Sequence, residues 1–67
     1  MDLNEFQKIC NRVSQGQTVC VQRDDGRQGK VVGCLMIPES FSIEIAPGQP
    51  REAWQRDNVT KEVPCPP

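Results

Sequence analysis

Few residues in this chain could do chemistry, and what is missing narrows the field first. Histidine is absent, which removes the commonest general base and the commonest metal ligand together. Ser14, Ser40 and Ser42 therefore have no imidazole to activate them as nucleophiles. Glu39, Glu44, Glu52 and Glu62 are single carboxylates with no partner at a spacing suited to paired acid and base work. The glycines match neither G-x-G-x-x-G nor a Walker loop, so nucleotide binding of those kinds is not expected. Cys10, Cys20, Cys34 and Cys65 contain no C-x-x-C pair, which argues against a zinc ribbon. The expectation is a non-enzyme with no metal, no other cofactor and no small-molecule substrate.

The four thiols admit two disulfides in three connectivities. No basic start precedes an apolar block as in a secretory leader, so reduced cysteines are expected. Cys10, Cys20 and Cys34 would then act as small apolar residues, with Cys65 exposed. Eight basic against nine acidic residues leave a net charge of -1. Any nucleic-acid contact must therefore come from a local patch. No apolar run approaches the roughly 18 residues of a membrane span, and the expected location is the cytoplasm.

These side chains need a scaffold, and 67 residues make one small domain. A chain of this size buries only about 60% of its unfolded surface, so the core is thin and its stability marginal or shared with other copies. Asp2 followed by Glu5 marks a helix start, and Leu3, Phe6, Ile9, Cys10 and Val13 recur at helical spacing. This predicts a helix over 3–14, with Gly16 as its stop. β-Branched residues then predict a strand from Thr18 to Arg23, turned at Asp25-Gly26 into a long central strand from Gly29 to Ile37. Gly29 and Gly33 suit sharp bending of that strand. Pro38-Glu39-Ser40 is read as its end, and Phe41, Ile43 and Ile45 as the apolar face of the next strand. Arg51–Gln55, centred on Trp54, and Val59–Val63 complete five, joined by a tight Arg56-Asp57-Asn58 connection. The fold class is mainly β: a helix followed by a strongly bent, five-stranded antiparallel small barrel. The helix would plug one open end. Residues 1–63 form the domain and 64–67 a Pro-rich tail.

At two turns the residues resemble the Sm-like (LSm and Hfq) family. Its first motif is echoed by Asp25-Gly26-Arg27, by Gly29-Lys30-Val31-Val32-Gly33 and by Phe41-Ser42-Ile43-Glu44-Ile45. Its second, close to I-R-G-D-N-V, is echoed by Trp54-Gln55-Arg56-Asp57-Asn58-Val59. The resemblance spans about residues 3 to 63. Ser40 stands where the family has its base-stacking side chain, and Ser42 where it has its base-reading asparagine. The glycine after Arg56 is missing, as is the bacterial Y-K-H signature.

The resemblance implies a ring of five to seven copies, strand four of one subunit against strand five of the next, with Trp54, Val59 and Val63 at the interface. It implies that single-stranded RNA binds around the pore through Ser40, Phe41, Ser42, Arg56, Asn58 and Lys30, with bases stacked on Phe41 or Arg56. Blander roles stand beside these: Phe41 and Trp54 as core, Arg56 as a turn ion pair. A different class of function is an SH3-like docking subunit or regulator, binding another protein through Trp54 and the Pro38–Ser40 loop without nucleic acid.

Overall fold

A computed structural model describes residues 1–66. Helix α1 (Leu3–Ser14) precedes β1 (Cys20–Arg23), β2 (Gln28–Met36), β3 (Glu39–Glu44), β4 (Glu52–Gln55) and β5 (Val59–Val63), with a 3-10 turn at Arg56–Asn58. The helix begins where the Asp2 carboxylate accepts the Glu5 N–H at 2.8 Å. It ends where Gly16, at φ +89°, lets the Gly16 and Gln17 N–H groups return to the carbonyls of Val13 and Arg12, both at 3.0 Å.

All five strands join one antiparallel sheet in the order β4-β3-β2-β1-β5. The β2–β3 register shifts between Val31 and Gly33, a bulge that bends the long strand. Gly29 is demanded by close approach, because a Cβ there would collide with Ile43 Cγ2 and lie 3.3 Å from Ile45 Cδ1. Gly33 is under no such crowding; its part of the bend belongs to the bulge. One apolar cluster joins the helix to the sheet: Phe6 and Ile9 pack with Val19, Val21, Val31, Phe41, Ile43, Trp54 and Val59. Burying those faces is the main favourable term in so short a chain.

Several boundaries differ from the sequence reading: β2 runs Gln28–Met36 rather than Gly29–Ile37, and β3 runs Glu39–Glu44 rather than Phe41–Ile45. The first strand starts at Cys20 rather than Thr18, and the fourth at Glu52 rather than Arg51. Pro38 does close β2, but Glu39 and Ser40 already belong to β3: Met36 pairs with Glu39 and Leu35 with Ser40, so only Ile37 and Pro38 lie between the strands. The peptide joining them is cis.

The cysteines overturn the expectation of reduced thiols. Cys10 is bridged to Cys34, tying α1 to β2, and Cys20 to Cys65, tying β1 to the tail. No free cysteine remains. Their Cα atoms stand 6.1 and 5.2 Å apart, within the ordinary range for a bridge. Sequence spacing could not reveal this, because pairing depends on which strands become neighbours. No helix among the described residues is long and apolar enough to cross a membrane.

Candidate functional site

The expected binding residues separate into a corner, a core and a distant wall. Arg56 opens the 3-10 turn after β4, and Ser40 pairs with Gln55 across β3–β4, so the two meet at one corner. Most of the corner is engaged from within. Arg56 Nη1 donates to the Met1 carbonyl at 2.9 Å, and its Nε stands 3.3 Å from Glu39 Oε1 as an ion pair without hydrogen-bond geometry. Asp57 lies 3.7 Å from the same guanidinium. The Met1 amine in turn donates to the Val59 carbonyl at 2.7 Å. Ser40 is buried, its hydroxyl donating to the Pro38 carbonyl at 3.1 Å.

Phe41 belongs wholly to the core. Its ring centroid lies 4.8 Å from that of Phe6, tilted by 49°, and no part of the residue is exposed. Base stacking on Phe41 is therefore corrected: with Phe6 across it, the ring offers no free face. Trp54 and Val59 are likewise buried within their own subunit, which corrects their side chains as interface contacts, whereas Val63 is half-buried. The Trp54 indole N–H donates to Glu52 Oε1 at 3.2 Å, and the guanidinium carbons of Arg23 and Arg27 lie 5.8 and 5.7 Å from its ring. The only tryptophan is thus clasped by two cations, one closing β1 and one in the β1–β2 turn.

Ser42 and Asn58 are half-buried, and the Asn58 carbonyl accepts the Asp24 N–H at 2.8 Å. Lys30 is exposed, between Cys20 of β1 and Glu44 of β3 in register. Four residues along β3 from Ser40, at about 3.3 Å each, place it on the order of 13 Å from the Arg56 corner. The six expected contacts thus do not converge on one patch within a subunit.

Exposed ion pairs brace the periphery. Arg12 holds both Glu62 carboxylate oxygens at 2.8 and 2.9 Å, linking α1 to β5, and this hydrogen bonding keeps the Glu62 carboxyl below the usual range. Asp25 is lowered first by the Arg27 backbone N–H and then by its guanidinium. Each pair is exposed and contributes little.

Two features escaped the sequence reading. Leu35, Met36 and Ile37 protrude at the β2–β3 tip, Ile37 at 94% exposure; the sequence signal was the apolar run meeting Pro38. At the opposite end of β3 an open cavity of about 300 Å³ is walled by Thr18, Gln28, Lys30, Glu44, Pro47 and Cys65, among others. No cluster of metal-ligating side chains occurs among the described residues.

Comparisons with protein-family models, curated proteins and solved structures find no match for this chain.

Proposed function

We propose that this chain is an Sm-like small barrel acting as a non-catalytic, ring-forming module. The observation that carries the reading is the strand order β4-β3-β2-β1-β5, which leaves β4 and β5 as the two unpaired edges of one bent sheet. An unpaired edge is a row of backbone donors and acceptors that invites another strand. Joining β4 of one copy to β5 of the next satisfies both rows and enlarges a thin core. The contact is made by backbone, so the burial of Trp54 and Val59 does not stand against it.

Single-stranded RNA enters this reading through valency. Each copy contributes Lys30, Ser42, Arg56 and Asn58, and repetition around a ring multiplies contacts that are individually weak. The expected cytoplasmic location is replaced in this reading by an oxidising compartment, because two disulfides in so short a chain persist best there.

A second reading is favoured by the exposed Leu35, Met36 and Ile37 and by the internal engagement of Arg56. In it the chain docks on another protein through the β2–β3 tip and meets no nucleic acid. Size-exclusion chromatography with light scattering separates the two. A ring of five to seven 7.5 kDa chains runs at about 37 to 53 kDa, and a 7.5 kDa particle at working concentration ends the ring. Fluorescence anisotropy with oligo-U and oligo-A at low salt then tests the ligand; a flat titration removes RNA and leaves docking.

A further inference from the structure

We propose that the Cys20–Cys65 bridge is a redox-released strap that holds the C-terminal tail against the Lys30 cavity. The inference rests on the bridge and the cavity alone, whatever the ring binds. Strand β5 ends at Val63, which pairs with Cys20. Pro64 and Pro66 carry no N–H with which to extend the ladder. The disulfide two residues beyond Val63 is therefore the tail's covalent hold. Cys65 and Pro66 form one wall of the cavity of about 300 Å³, facing Thr18, Gln28, Lys30, Glu44 and Pro47.

The two cysteines differ in exposure, although both line the cavity. Cys20 is 5% exposed, whereas Cys65 is half-buried beside open space. A small thiol reductant, monothiol or dithiol, attacks Cys65 Sγ as its thiolate, forming a mixed disulfide and expelling Cys20 as thiolate, which then takes a proton. Lys30, the cross-strand partner of Cys20, lines the same cavity, and its ammonium favours that leaving group. Glu44, on the other flank of Lys30, tempers the effect. A second reductant thiolate attacks the reductant sulfur of the mixed disulfide and frees Cys65, which also takes a proton. The bridge gains two electrons and two protons, and two reductant thiols become one disulfide.

The Cys10–Cys34 bridge, whose two residues are also half-buried, differs in what it joins. It joins a helix anchored in the core by Phe6 and Ile9 to the long central strand. Once reduced, its thiols stay side by side and close again, so only the tail bridge changes the shape of the molecule when cut.

The test is a dithiothreitol titration of the intact chain, with iodoacetamide trapping, mass spectrometry and hydrogen–deuterium exchange. Expected are alkylation of Cys20 and Cys65 at lower reductant than Cys10 and Cys34, and loss of protection around 18–20, 28–30 and 44–47 while 3–14 keeps its own. Lys30→Gln should slow opening several-fold. The proposal is overturned by Cys10–Cys34 opening first, by both bridges opening together, or by unchanged exchange after Cys65 is labelled. Cys65→Ser provides the second arm: it should keep the circular dichroism of the parent and show the exchange pattern of the opened form. An unfolded Cys65→Ser chain would make the bridge a structural staple and end the proposal.

Discussion

Ile37 and Phe41 stand four residues apart on one hairpin and meet opposite fates. Phe41 has no exposed surface, while Ile37 is 94% exposed. Both are large and apolar, so side-chain chemistry does not separate them. Position does: α1 lays Phe6 against Phe41 where the hairpin crosses the core, while Leu35, Met36 and Ile37 extend past the buried cluster. The body of the hairpin is core, and the apolar side chains left in water are at its tip.

The sharpest way to break that contrast is to truncate each side. Phe41→Ala should cost about 3 to 5 kcal/mol, the usual range for a buried aromatic, and that is a large share of what so small a domain has. Thermal denaturation should show it as a fall of many degrees; a shift of only a degree or two would return Phe41 to the surface. Arg56→Ala comes next. It removes a hydrogen bond to the Met1 carbonyl and a half-buried ion pair with Glu39, for a loss of about 1 to 2 kcal/mol. A drop in oligo-U affinity with unchanged melting would instead mark Arg56 as a ligand contact free of the corner. Ile37→Ser should be the mildest, within about 0.5 kcal/mol in the single chain, while any association through the tip weakens. Destabilisation as large as that of Phe41→Ala would erase the distinction between body and tip.

Much of the architecture could be read in advance where the signal was local. The helix occupies 3–14 as expected, because Asp2 caps one end and Gly16 turns the other. Val59–Val63 has its expected bounds too. Proline ends β2 as expected, but the connection is shorter than the sequence suggests: Ile37 and Pro38 alone form the link, and Glu39 and Ser40 already pair across the ladder. The candidate site was the least legible part. Arg56, Ser40 and Phe41 were chosen by position within a motif, and motif position says nothing about Phe6 or Glu39, which arrive from elsewhere in the chain and engage Phe41 and Arg56.

Periodicity, capping residues and turn glycines act over a few neighbouring positions, so the linear order of residues was enough to specify one helix, five strands and most of their turns. Which thiols would bond, across separations of 24 and 45 residues, and which apolar side chains would be left in water were decided only in three dimensions. Both depend on which faces meet when distant segments pack, and that is a property of the assembled sheet rather than of any stretch of chain.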